Sequence, residues 1–317
     1  MKRLRLGVVG VGYWGSLHAQ KYAAIEGIDL VGLADIDYPR AQAVASKCST
    51  KAYKSHEELL PHVDGVSLAV PTVSHFEIGR EILDQGVHLL IEKPITLTLE
   101  EAEGLIQLAK QRNAILQTGH VERFNPVVME MDSLIWQPLF IESHRLNPYT
   151  KRGTDVDVVL DLMIHDLDII LHFVDSEIAR IDAYGMPAVS GKTDFAYAAI
   201  QFANDMRANF TACRVSPESV RTVRIFQPDS YISANYENRR IGVTRFGMQA
   251  ANGASLPRLE HRDEFQGSDP LADQIRSFVE SIRNSTEPRV TGADGKKALS
   301  VALSIIEKIQ SKGETLH

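Results

Sequence analysis

Apolar runs and helical stretches alternate along the first 120 residues with a regularity that predicts strands separated by helices. "LRLGVV" is a short strand-like run, a stretch of helical periodicity follows it, and "IDLVGLAD" is a second strand-like run. The alternation continues through "GVSLAVP", "HLLIEKP" and "AILQTGH", with helical segments over about 76–85 and 98–112. Such order is that of an α/β, doubly wound parallel sheet. From about residue 121 the pattern changes. A helix is followed by alternating runs, "IARIDAYGMPAV", "TDFAYAAIQFA", "MRANFTACRV", "RTVRIFQP", "SYISANYE" and "IGVTRF", joined by short turns such as Ala203 to Asp205. These predict a mostly antiparallel, open sheet in an α+β domain. Two domains are expected, residues 1–120 and 121–317.

One segment does not fit a plain hydrophobic pattern. "VVLDLMIHDLDII", residues 158–170, carries Asp161, Asp166 and Asp168 around His165 within an otherwise apolar run. At 3.6 residues per turn, Asp161, His165, Asp168 and the following His172 share one narrow stripe, and the apolar residues cover the rest. Desolvating an unpaired carboxylate is costly, so the stripe calls for partners or a task. Three readings are open at this point: a histidine salt-bridged inside a buried helix, a metal site on the i, i+4 face, or a proton-transfer site. Asp166 falls in the apolar arc, where only a buried partner would account for it.

The first apolar run leads into "GVGYWG", in which Gly10, Gly12 and Gly15 have GxGxxG spacing, with Tyr13 and Trp14 between them. Strand, glycine turn and helix in that order form the dinucleotide-binding signature of a Rossmann domain. Gly10 makes the tight turn, Gly12 admits the pyrophosphate to the backbone, and Gly15 permits close helix–strand packing. Asp35, at the end of the second run, is placed to meet ribose hydroxyls. With Asp37 near it, it would repel a 2'-phosphate, so NAD is expected rather than NADP. Later strand ends bring Pro71, Thr72 and His75 to one loop, Glu92, Lys93 and Pro94 to another, and Gly119, His120 and Arg123 to a third.

Charge narrows the partners. The net charge of -7 over 317 residues argues against a general affinity for nucleic acid. Against that acidic background, His120, Arg123, Phe124, Asn125, His144, Arg145, Asn147, Tyr149, Lys151 and Arg152 form a basic and aromatic cluster. Arginine forks suit a diphosphate, and an aromatic ring can stack on a base. Cys48 and Cys213 have no disulfide or zinc-like spacing, no stretch of eighteen apolar residues occurs, and the N-terminus makes a poor signal peptide. A cytoplasmic protein without membrane association or metal is expected.

Together the GxGxxG turn at 10–15, "EKP" at 92–94 and "DLMIHDLD" at 161–168 resemble the Gfo/Idh/MocA family of nicotinamide-dependent sugar dehydrogenases, and the likeness extends to a closing helix pair in the tail. The resemblance implies that Lys93, Asp161 and His165 lie beside the nicotinamide. His165 would be the base, Asp161 its orienting carboxylate, and Lys93 the group that anchors the reacting hydroxyl. "QTGHVERFNP" and "SHRLNPYTKRGTDVDVVLDLMIHDLD" look most like the bacterial branch that oxidises the 3-hydroxyl of UDP-N-acetylglucosamine. Cofactor contacts are then expected from Gly10, Gly12, Tyr13, Trp14, Gly15, Asp35, Pro71, Thr72, His75, Glu92 and Lys93. Substrate contacts are expected from His120, Arg123, Phe124, Arg145, Tyr149, Arg152, Asp161 and His165. The resemblance also implies a homodimer or homotetramer paired through one face of the second sheet. Within the family, dehydrogenases of free sugars or inositols, NAD-dependent glycosidases and non-catalytic regulators are the alternatives.

Overall fold

The computed structural model of the protein describes residues 3–150, 156–249 and 255–313. It divides into two compact units, one made of the chain up to Phe124 together with Asp269–Leu299, the other of Asn125–Ser268 and the chain from Ser300 onward.

In the first unit, strands β1 (Leu4–Val9), β2 (Ile28–Ala34), β3 (Lys51–Tyr53), β4 (Gly65–Leu68), β5 (His88–Glu92) and β6 (Leu116–Gly119) alternate with helices α1 (Tyr13–Ala24), α2 (Tyr38–Lys47), α3 (His56–Leu59), α4 (His75–Asp84) and α5 (Leu99–Arg112). The sheet is parallel, in the order β3-β2-β1-β4-β5-β6. Its connections reverse direction between β1 and β4, and the crevice beyond the strand ends at such a point is where doubly wound sheets bind ligands. The strands read as continuous apolar runs because both faces are covered: Leu6, Val8, Leu33, Val66, Leu89 and Leu90 are fully buried. Local signals set the helix starts. Asp37 accepts a hydrogen bond from the Arg40 amide at the head of α2, and Thr98 and Glu101 form a reciprocal capping box at the head of α5.

The second unit contains α6 (Pro126–Leu134), β7 (Phe140–Leu146), α7 (Ile164–Phe173), and strands β8 (Ile178–Pro187), β9 (Thr193–Phe202), β10 (Arg207–Cys213), β11 (Val220–Phe226), β12 (Ser230–Asn235), β13 (Arg240–Gln249) and β14 (Ser255–Glu264). Eight strands form one sheet, β14-β13-β12-β11-β7-β10-β9-β8, antiparallel except where β7 runs parallel to β10. Two strands join the six expected from the sequence. β7, "FIESHRL", is hidden because its inward positions include Ser143 and Arg145, and β14, "SLPRLEHRDE", because it is a polar edge strand. The expected continuous helix over 158–172 is also modified. Val159–Met163 form a π-helical turn, in which the Ile164 amide donates to the Val159 carbonyl, before α7 continues.

Helices α8 (Pro270–Asn284) and α9 (Gly292–Gly313) close the chain. The boundary differs here from the single division at residue 120. The apolar face of α8, with Leu271, Ile275, Phe278, Val279 and Ile282, packs into the cluster formed by Leu6, Val8, Tyr22 and Leu33. The Thr118 amide donates to the Val290 carbonyl at 3.1 Å beside the edge strand β6. An amphipathic helix and a strand edge both need covering, which draws residues 269–299 to the first sheet.

Candidate active site

The glycine turn has the geometry its spacing predicts. Gly10 adopts φ +83°, and a Cβ there would lie 2.7 Å from the Ala69 carbonyl oxygen. A Cβ on Gly15 would overlap the Gly10 carbonyl oxygen, whereas one on Gly12 would meet nothing within 4 Å. Gly10 and Gly15 are therefore required by the protein's own packing, and Gly12 by whatever approaches from outside. Gly12 also heads α1 and offers no capping side chain, so the positive end of the helix is not screened by a cap of its own. The turn opens on a pocket of about 600 Å³ lined by Tyr13, Trp14, Asp35, Arg40 and Pro71 among others. Tyr13 and Trp14 pack edge-to-face, and both are exposed. Asp35 accepts hydrogen bonds from the Val11 amide at 2.7 Å and the Asp37 amide at 2.8 Å, with an Arg40 Nη at 3.3 Å. The carboxylate is thus fixed at the far end of the pocket, where the sequence assigns it to a ribose. Size, open glycine, bare helix end and fixed carboxylate fit NAD.

Other expected residues sit elsewhere in this unit. The near wall of the pocket is formed by Pro71, Ser74 and Ile78, with Thr72 in the short 3₁₀ turn between them. His75 lies behind that wall, buried, its ring nitrogens 2.9 Å from the Pro94 carbonyl oxygen and 3.0 Å from that of Val70. It stands between the Lys93–Pro94 segment and the end of β4, donating to one of the two carbonyls, and is not among the residues that line the pocket, where it was expected as a cofactor contact. Burial lowers its affinity for a proton. Glu92 also turns inward, its Oε1 3.1 Å from Nε2 of the buried His18, while Lys93 begins the loop beyond β5.

His120, Arg123 and Phe124 are buried, not on an open basic surface. Burial, then the positive charges of Lys93 and Arg123, push the His120 ring down to about 3, so it is neutral near pH 7. Arg123 donates to the Arg289 carbonyl and its own carbonyl accepts from Arg289 Nε at 3.1 Å. Phe124, at 3% exposure, has no face for a base to stack on. The 269–299 return packs over this segment, which no local pattern announces.

In the second unit the polar seam of 158–172 acquires partners. Asp166, for which the sequence suggested only a buried partner, receives Nε and Nη2 of Arg145 at 2.9 and 3.0 Å, with both side chains under 5% exposed. Arg145, expected to meet a diphosphate, is thus held against a buried carboxylate. His172 turns to Asp132 at 2.9 Å, away from a four-ligand stripe. Asp161 and His165 remain half-buried on the π/α junction. Asp161 lines a cleft of about 300 Å³ with Asn147, Thr150, Arg214, Ser219 and Arg221. Behind it, Arg214 bonds the Val156 carbonyl at 2.8 Å and lies 4.0 Å from Asp161 and 3.7 Å from Asp194. Although burial opposes it, the Ser190 hydroxyl and the amides of Ala188, Val189 and Ser190 hold the Asp194 carboxyl well below the usual carboxylate range. Tyr149 is exposed, and Arg152 lies outside the described residues.

Sequence reasoning did not single out His18, Ser67, Arg214 or Arg221. His18 had a signal, since it stands on the Gly15, Ala19, Tyr22 face that α1 buries. Arg214 and Arg221, at the ends of separate strands, had none.

A dinucleotide pocket at the switch point of a parallel sheet, joined in one chain to an open sheet with an aspartate–histidine helix, defines the class of NAD-binding oxidoreductases. Residues 4–120 match the oxidoreductase family with an NAD-binding Rossmann fold, residues 126–228 match the GFO/IDH/MocA C-terminal domain, and the chain belongs to the Gfo/Idh/MocA family. It is 38% identical over 306 residues to the UDP-N-acetylglucosamine 3-dehydrogenase of Acidithiobacillus ferrooxidans, covering 96% of this chain and 97% of that one. A solved structure of that enzyme superposes with a TM-score of 0.91 at 36% identity, covering 98% and 99% of the two chains. The myo-inositol 2-dehydrogenase of Thermotoga maritima is 23% identical, covering 98% of this chain and 97% of its own. The scyllo-inositol dehydrogenase of Lactobacillus casei, solved with NAD(H) and scyllo-inositol, has a TM-score of 0.82 at 21% identity over 98% of each chain, a likeness of fold.

Proposed function

We propose that this protein oxidises the 3-hydroxyl of UDP-N-acetylglucosamine to the 3-keto sugar, with NAD reduced to NADH. The observation that carries the reading is the 38% identity over almost the whole of both chains to an enzyme of that name, against 23% for an inositol dehydrogenase. The cleft beside Asp161 supports it: Arg221 brings a guanidinium to its wall, with Arg214 behind it held by the Val156 carbonyl and by Asp161 and Asp194, and a guanidinium suits a diphosphate better than an uncharged sugar or inositol does. We assign to this cleft the diphosphate contact expected from the sequence at Arg123 and Arg145; Arg152, expected with them, lies outside the described residues.

Oxidation of a carbinol removes a hydride from carbon and a proton from oxygen. NAD held in the pocket beside Gly12 and Asp35 would supply the hydride acceptor; the protein's own residues manage the proton and the positions. His165, whose residue type titrates near neutrality, takes the hydroxyl proton. Asp161, four residues earlier, stabilises the ring as it becomes charged. Lys93 hydrogen-bonds the reacting oxygen and stabilises the negative charge that develops on it. Among the outward positions of the second sheet, Phe226, Phe246, Tyr184 and Tyr197 are exposed aromatics, and we assign this face to pairing with further copies of the chain in the cytoplasm. No helix among the described residues is long and apolar enough to cross a membrane.

Calorimetry in the presence of NAD tests the substrate. UDP-N-acetylglucosamine is expected to bind more tightly than free N-acetylglucosamine, and Arg221→Ala to shrink the difference. NADH formation at 340 nm, with a coupled aminotransferase to draw off the keto sugar, is expected with the UDP-sugar and to fall by about 100-fold or more in His165→Ala and Lys93→Ala. Equal binding and turnover of free sugars or inositols would leave only the broader dehydrogenase assignment.

A further inference from the structure

A buried line of hydrogen bonds runs from the first helix to the strand end that carries Lys93, and none of the roles above uses it. Tyr22 Oη lies 2.8 Å from Ser67 Oγ, Ser67 Oγ 3.0 Å from His18 Nδ1, and His18 Nε2 3.1 Å from Glu92 Oε1. Tyr22, Ser67 and His18 are at most 1% exposed. One arrangement of hydrogens satisfies every contact. Burial keeps the Tyr22 hydroxyl protonated, so it donates to Ser67; Ser67 donates to Nδ1, and Nε2–H donates to the Glu92 carboxylate. The line ends in the core at Tyr22 and on an anion at Glu92. It has no outlet for a proton, so it holds geometry.

What it holds is the end of β5. The Glu92 carboxylate is confined on its other side by Gly119 of β6, where a Cβ would come within 2.7 Å of Oε1 and 3.1 Å of the Glu92 Cα. Lys93 shares a peptide unit with Glu92, and His75 holds the Pro94 carbonyl just beyond. We propose that His18 is a positioning residue for Lys93, acting through the carboxylate of Glu92. A tilt of about 10° at the Lys93 Cα carries its ammonium, about 6 Å away, through about 1 Å, a displacement of the size that costs on the order of 100-fold in rate. The inference rests on the reading of Lys93 as the group that engages the reacting hydroxyl.

Two replacements of His18 separate this role from core packing. In His18→Gln the side-chain amide reaches the Nε2 position and still donates to Glu92; in His18→Asn it reaches only the Nδ1 position and meets Ser67. The expected result is a kcat about 10- to 100-fold lower in His18→Asn, with the Kd for NAD within about twofold of the parent, and recovery to within about threefold in His18→Gln. Gly119→Ala, which displaces Glu92 and leaves His18 intact, is expected to follow His18→Asn. Crystal structures of the variants give a readout independent of turnover: Lys93 Nζ displaced by about 1 Å in His18→Asn and Gly119→Ala, and unmoved in His18→Gln. Equal losses in the Asn and Gln variants, losses that follow the melting temperature alone, or an unmoved Lys93 in His18→Asn would overturn the proposal. Absence of dehydrogenase activity in the parent protein would instead sink the reading of Lys93, while the displacement of its side chain still decides the clamp.

Discussion

Removing the carboxylate of Asp166 separates a structural from a ligand-binding role for Arg145. The Arg145 guanidinium and Asp166 meet as a two-pronged pair at 2.9 and 3.0 Å, with 3% and 4% of their side chains exposed. Asp166→Ala deprives a buried cation of its counter-charge, a change that costs about 3–5 kcal/mol. For a unit of this size that corresponds to a fall in melting temperature of roughly 6–20 °C. Replacing both partners, as Arg145→Met with Asp166→Leu, removes the charge along with its partner and is expected to restore most of the loss. Urea unfolding and thermal melts measure the first effect, and calorimetry with UDP-N-acetylglucosamine and NAD the second. The double variant is expected to bind the UDP-sugar within about threefold of the parent, because the pair faces the sheet interior. A loss below about 1 kcal/mol in Asp166→Ala would refute the energetic argument. A native melting temperature with lost UDP-sugar preference in the double variant would return Arg145 to the substrate.

Gly12→Ala is expected to melt with the parent protein, since its Cβ meets nothing within 4 Å, yet to weaken NAD on the order of tenfold or more; unchanged NAD affinity in a titration would contradict the pocket assignment. Asp35→Ser is expected to narrow the preference for NAD over NADP, because it removes the carboxylate and releases Arg40, 3.3 Å away, toward a 2'-phosphate; a parent protein that turns over NADP as well as NAD would contradict this. The unfolded chain protonates His120 near its ordinary value of 6.5, while the folded ring stays neutral down to about 3, so stability falls as pH drops through that window. The contribution reaches up to roughly 5 kcal/mol, and His120→Leu is expected to flatten the acid limb of a melting-temperature profile, with His75 keeping part of the slope. An unchanged slope between pH 6.5 and 4 would show that His120 is not the group responsible.

The sequence by itself determined the parts of this protein whose physics is local. Glycines at 10 and 15 follow from the close packing of the turn itself and Gly12 from what approaches it, and Asp35 follows from the length of one strand–helix–strand unit. Apolar runs of strand length between helices dictate a parallel sheet, and period-two runs with short turns an antiparallel one. The seam at Asp161 and His165 was visible because charges in an apolar helix are costly wherever that helix packs. Tertiary structure decided which charges are buried struts and which line an open cleft. Arg145, Arg123 and His120 read alike as basic loop residues, but the first meets Asp166 across 21 positions of sequence, and the others are covered by the chain returning at 269–299. Arg214 and Arg221 reach the cleft beside Asp161 only because strands β10 and β11 flank β7 in one sheet. His18 meets Glu92 across 74 positions for the same reason, since β1, β4 and β5 are neighbours in the parallel sheet. Contacts of that separation depend on strand order, which no window of sequence encodes, and strand order is what turned a set of polar residues into a buried histidine–glutamate contact, a paired arginine and an open cleft.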